Sequence, residues 1–101
     1  MDGKIKVMIA DDQVILAEGI RSVLETDPGI EVTGLAFDGF DTLSKMEENT
    51  PDVVLMDIRM PNMNGVVATQ SIKAKYPDVK VIILTTFDDS DYILDAINNG
   101  A

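Results

Sequence analysis

PDVVLMDIRMPNMNG, residues 51–65, decides how this chain is read. Val53 to Met56 is apolar at every position. That pattern fits a central strand of a parallel sheet with helices over both faces, whereas strict alternation marks a strand with one face in water. Asp57 follows at the strand's C-terminal end. Pro61 and Gly65 then frame a loop that contains Asn62 and Asn64. A helix is expected from about Gly65 to Lys75, with Val66, Thr69 and Ile72 along one face, and Tyr76-Pro77-Asp78 closes it.

Outward from this stretch, strands and helices alternate. Lys4 to Ala10 (KIKVMIA) reads as a strand that ends at Asp11-Asp12. Leu16, Ala17, Ile20, Val23 and Leu24 recur at helical spacing after it. Asp12 is the expected N-cap of that helix, and Asp27-Pro28-Gly29 its stop. Ile30 to Ala36 is a weaker strand, in which Gly34 suits an edge position. Asp38-Gly39 breaks it. Phe40, Leu43 and Met46 mark a short second helix, ended by Asn49-Thr50-Pro51. Lys80 to Leu84 (KVIIL) is a second run apolar on both faces, leading to Thr85-Thr86-Phe87. Asp88-Asp89-Ser90 offers N-cap chemistry for a last helix containing Ile93, Ala96 and Ile97, with Asn99-Gly100 as its C-cap. This rhythm implies an α/β domain with a parallel sheet and right-handed crossovers.

Composition narrows the chemistry. A chain of 101 residues with 46% hydrophobic content makes one domain with a real core. It has neither cysteine nor histidine, which excludes disulfides, thiolate or imidazole metal sites and histidine acid–base catalysis. The balance of 18 acidic against 8 basic residues, a net charge of -10, argues against nucleic-acid binding by this segment. No run approaches the roughly 20 apolar residues of a membrane span, so a cytoplasmic location is expected.

Three strand ends carry polar groups directly after apolar runs: Asp11-Asp12, Asp57 and Thr85. Taken singly, each is an ordinary structural residue, a turn, a cap or a β-branched strand end. Open parallel sheets, however, bind ligands at the carboxyl ends of their strands. If the first strand lies beside the third, all three ends share one rim. Close carboxylates repel by roughly a few kcal/mol per pair at an effective dielectric of about 20. The strain is relieved by protonating one of them or by recruiting a dication. Hard oxygen ligands without imidazole or thiolate suit magnesium. An Asp57 held rigidly by a buried strand is the best candidate nucleophile, since aspartyl-phosphate chemistry is an established use of a carboxylate. Thr85 Oγ would donate to a phosphoryl oxygen.

At this point the residues resemble a known family. VMIADDQ (7–13), PDVVLMDIRMPNMNG (51–65), VIILTT (81–86) and NNGA (98–101) are similar to the receiver domain of two-component response regulators. LTTFDD and GIRSVL most resemble the regulators with a LuxR-type (NarL/FixJ-like) C-terminal DNA-binding domain. The resemblance implies a flavodoxin-like parallel sheet with the first four strands in the order 2-1-3-4. It implies that Asp57 is the phosphoacceptor. Asp11 and Asp12 would hold magnesium together with Asp57 and the backbone carbonyl of Arg59. Thr85 would be the switch hydroxyl, and Pro61 and Gly65 would shape the loop. The implied donor is a phosphohistidine on a sensor histidine kinase, docking largely on the first helix near Gln13 to Gly19. Transcription control is the implied output of the parent protein, and turnover as an enzyme is not expected.

A family member also needs a fifth strand, a fifth helix and a lysine that contacts the phosphoryl group. Ala101 stands where that strand should begin, and Lys73, Lys75 and Lys80 match no such lysine. The expectation is a truncated receiver over residues 1–101, without its output domain. It would self-associate through the exposed edge of its fourth strand or by exchanging C-terminal elements. Two competing readings stand beside it. A haloacid-dehalogenase-like phosphotransfer enzyme wants an aspartate two residues after the nucleophile, where this chain has Arg59. A pseudo-receiver would use the acidic rim for interaction alone.

Overall fold

The computed structural model describes residues 3–84. Four parallel strands run Ile5–Ala10 (β1), Ile30–Ala36 (β2), Val53–Asp57 (β3) and Lys80–Leu84 (β4), in the order β2-β1-β3-β4. Helices Val14–Leu24 (α1), Gly39–Glu48 (α2) and Gly65–Lys75 (α3) connect them. The expected order and the α3 and β4 boundaries hold. The expected last helix and Thr85 lie outside the described residues. So do the C-terminal elements on which the expected self-association turns.

The pleat of β1 sorts the core into two layers. Met8 and Ala10 point to one face, where they meet Val54, Met56, Met46 of α2, and Ala68 and Ile72 of α3. Val7 and Ile9 point to the other, where they meet Ala17 of α1 and Val32. In β2 the register against β1 shifts, so that Val7 pairs Val32 but Met8 pairs Gly34. This bulge resets the alternation. Val32 and Leu35, three residues apart, therefore both face the α1 layer, while Ala36 faces the other.

Three expectations are corrected. The apolar stripe of α1 is wider than its seat: Ala17, Ile20 and Leu24 contact the sheet, but Leu16 is 49% and Val23 70% exposed. A helix lying over β1 and β2 touches the sheet along a narrow line, and its flanks stay uncovered. Phe40 sits in α2 yet is exposed, because Gly39, Thr42 and Met46 form that helix's buried face. The run KVIIL is covered on one face only among the described residues, where Val81 is buried and Ile82 is 52% exposed.

Candidate functional site

Parallel strands deliver their C-termini to one rim, and β1 pairs directly with β3 through Ala10 and Met56. Asp11 and Asp57, the residues one step further along, are thereby neighbours. Carboxylate oxygens of Asp11, Asp12 and Asp57 lie within 4.8 Å of one another. Asp57 is the last residue of β3, one position earlier than a post-strand loop would place it. Its backbone is therefore held by the sheet.

The three carboxylates sit in different surroundings. Asp11 is 2% exposed, and its Oδ1 accepts from the Gln13 backbone N–H at 2.8 Å. Burial pushes its carboxyl up, the Gln13 N–H pulls it down, and the neighbouring Asp12 charge adds to the rise. Asp57 is pushed up to about 6, first by burial and then by the charges of Asp11 and Asp12. The backbone N–H groups of Arg59 and Ile58 act in the opposite direction. Asp12 is exposed and is not the N-cap of α1. Gln13 occupies that position without a side-chain bond to the helix. The reason is local: the inward carboxylate of Asp11 already reaches the Gln13 N–H, and Asp12 is turned to the rim.

The donor set fits a hard dication. It offers only oxygen, its protons are held more tightly than usual, and its charges repel until something positive stands between them. The backbone carbonyl of Arg59 is two residues beyond Asp57 in the loop to α3, and the Arg59 side chain is exposed. Thr85 lies outside the described residues. The lysines weighed from the sequence are engaged elsewhere. Lys73 Nζ donates to the carbonyls of Pro77 and Val79, Lys75 pairs with Glu47, and Lys80 opens β4 at the opposite end of the strand.

The loop after Asp57 is pinned at both ends. Ile58 and Met60 are buried while Arg59 between them is exposed, so alternation continues for three residues past the strand. The Gly65 N–H donates to the Ile58 carbonyl at 2.9 Å. A Cβ on Gly65 would lie 2.2 Å from the Asp57 carbonyl oxygen, which makes glycine obligatory there. Asn64 caps α3 by accepting from the Val67 N–H at 3.0 Å. Pro61 precedes a tight turn centred on Asn62, which has φ 67, and the Met63 N–H donates to the Pro61 carbonyl at 2.7 Å.

Sequence reasoning did not find Asp38 as part of this arrangement. Asp38 Oδ1 caps α2 by accepting from the Asp41 N–H at 2.7 Å, and its Oδ2 accepts from Asn62 Nδ2 at 2.8 Å. The Asn62 amide, and then the Asp41 N–H, hold the Asp38 carboxyl below its usual range. The asparagine, a residue tolerant of the left-handed region, was the available signal for the turn.

The model of the response regulator receiver domain matches residues 7–101. The transcriptional regulatory protein LnrK of Bacillus subtilis (strain 168) is 46% identical over 97 residues, covering 96% of this chain and 44% of LnrK. The transcriptional regulatory protein DegU of Brevibacillus brevis is 40% identical over 100 residues, covering 99% of this chain and 42% of DegU. The chain thus spans less than half the length of these curated relatives. Among solved structures, the response regulator domain of Thermotoga maritima CheB superposes with TM-score 0.89 at 33% identity, covering 97% of this chain and 74% of that one. A LuxR-family two-component response regulator from Aurantimonas sp. SI85-9A1 gives TM-score 0.89 at 33% identity, over 97% and 70% of the respective chains.

Proposed function

The chain belongs to the response regulator receiver domain family, and from that premise we propose that Asp57 accepts a phosphoryl group from a phosphohistidine on a sensor kinase. Receiver domains of this family are signalling modules. An Asp57 carboxylate oxygen attacks phosphorus, the P–N bond to the donor imidazole breaks, and the imidazole leaves with a proton from solvent. The product is an acyl phosphate on Asp57. The observation that carries this reading is the convergence of three carboxylates within 4.8 Å at the end of a buried strand.

Asp11, Asp12, Asp57 and the Arg59 backbone carbonyl are the groups that would hold magnesium. When bound, magnesium supplies charge neutralisation for the phosphoryl oxygens and for the attacking carboxylate. The protein's own contributions are positional. β3 fixes the nucleophile, and the buried Ile58 and Met60 hold the loop behind it. The exposed Val14, Ile15 and Leu16 at the start of α1 give a kinase an apolar surface beside the site. In the longer protein, as in transcriptional relatives, phosphorylation would govern transcription, with Thr85 as the hydroxyl that follows the phosphoryl group.

The test is mass spectrometry after treatment with acetyl phosphate, with and without magnesium, on wild type and Asp57→Asn. A single phosphoryl adduct that requires both magnesium and Asp57 is expected. No adduct under any condition overturns the proposal in favour of an interaction module. Continued phosphate release over many turnovers points instead to a hydrolase.

A further inference from the structure

The loop that carries the Arg59 carbonyl contains a conformation it does not hold by itself. At Asn62, φ is 67 and the Met63 N–H folds back on the Pro61 carbonyl at 2.7 Å. A three-residue turn with positive φ at its centre is the rare and strained form. Such backbone persists only where its surroundings over-determine it. Here the surroundings are the N-terminus of α2. Asn62 Nδ2 donates to Asp38 Oδ2 at 2.8 Å, and the Gly39 N–H donates to the Met63 carbonyl at 2.8 Å.

Asp38 is suited to be the fixed end of this contact. Its other oxygen is bound to the Asp41 N–H at 2.7 Å, and its carbonyl accepts from the Thr42 N–H and Oγ1 at 3.0 and 2.7 Å. Its place is therefore set by α2 and not by the loop. Gly39 completes the seat. A Cβ there would stand 2.4 Å from Met63 Cγ, so the loop lies this close only over glycine.

Resting on the proposed magnesium site, we propose that Asn62, anchored by Asp38, is a positioning residue for that site: the bond between their side chains holds the Arg59 carbonyl in place for the cation. The stretch from Ile58, buried in the core, to Asn62, tied to α2, spans only the residues that include that carbonyl. Releasing one tie lets the carbonyl wander while the three carboxylates stay where the sheet puts them.

Three variants separate this role from a general loss of stability. Asn62→Gly keeps the positive φ and removes the amide. Asp38→Ser keeps the α2 cap and removes the second acceptor. The swapped pair D38N/N62D keeps the net charge, the cap and one bond between the side chains. Magnesium affinity is read by calorimetry. Exchange of the Gly39 and Met63 amides is read by NMR without metal. Each single variant is expected to bind magnesium about 10-fold more weakly, the range of contacts that orient metal ligands. Their combination should be no weaker than either alone, and the swapped pair should recover to within about threefold, because the two changes remove one shared interaction. The two amides should exchange faster in Asn62→Gly than in wild type. If wild type binds magnesium and both single variants match it, or if the swapped pair stays as weak as the singles, the positioning role is wrong. A folded wild type that takes no magnesium overturns the proposed function itself, and this inference with it.

Discussion

Replacing Asp57 by asparagine should stabilise the fold, and the gain should grow with pH. Asp57 is lifted to about 6 by burial and by the charges of Asp11 and Asp12. In the unfolded chain an aspartate titrates near pH 4, at about 3.9. Between those two values the native state binds more protons than the unfolded state, so stability falls as pH rises, and the fall is complete above about pH 6. A hundredfold tighter proton would correspond to almost 3 kcal/mol at about 1.4 kcal/mol per tenfold. Partial contact with water reduces this to about 1–2 kcal/mol. Asparagine cannot ionise and escapes the whole cost. It also relieves Asp11, whose carboxyl is raised by its own burial and by Asp12.

The assay is urea unfolding of wild type and Asp57→Asn in parallel, with chelator and no divalent ion, from pH 5 to pH 8. The lower limit keeps clear of the isoelectric point near 4.1, where a chain without net charge precipitates. The other carboxylates titrate alike in both proteins and cancel in the difference. The advantage of Asp57→Asn should rise by about 1 kcal/mol across this range, most of it below pH 7. In a domain of this size that is a divergence in Tm of about 4–8 °C. An advantage that is constant with pH, or that shrinks, would show that the three charges do not confront one another as the structure places them.

Magnesium should reverse the same cost: at tenfold over its Kd it should add about 1.4 kcal/mol to wild-type stability, less to Asp57→Asn, and less at pH 5 than at pH 8, as thermal melts would read. Gly65→Ala should destabilise by about 2–4 kcal/mol, since its Cβ would stand 2.2 Å from the Asp57 carbonyl oxygen and force apart the bond from the Gly65 N–H to Ile58. A loss below about 0.5 kcal/mol in urea unfolding would refute the steric account. Gly19→Ala should do the opposite, adding about 0.5–1 kcal/mol, because nothing lies within 4 Å of its Cβ position and alanine favours the interior of α1.

The part of the site legible in the sequence is the part dictated by the polarity of a parallel sheet. Once VVLM and KVIIL are strands and β1 pairs with β3, residues ending those strands share a rim, whatever their side chains do. Asp11, Asp12 and Asp57 meet for that reason. The errors have a different origin. Pattern alone makes Asp12 the cap of α1, but the two adjacent aspartates are equivalent in sequence and differ only in burial, which sends Asp11 to the helix and Asp12 to the rim. Leu16, Val23 and Phe40 are placed by periodicity, which finds an apolar stripe but not the width of the surface it meets. The tie between Asp38 and Asn62 is invisible for a third reason. Its partners are 24 residues apart and belong to segments that read, separately, as a strand breaker and a loop. Strand ends are brought together by backbone geometry common to all parallel sheets, and so a pattern reveals them. The loop that must present a carbonyl beside them has no such rule and takes its shape from side chains on a neighbouring helix. The carboxylates therefore belong to the part of the site that the fold guarantees, and the fourth ligand to the part that only this sequence secures.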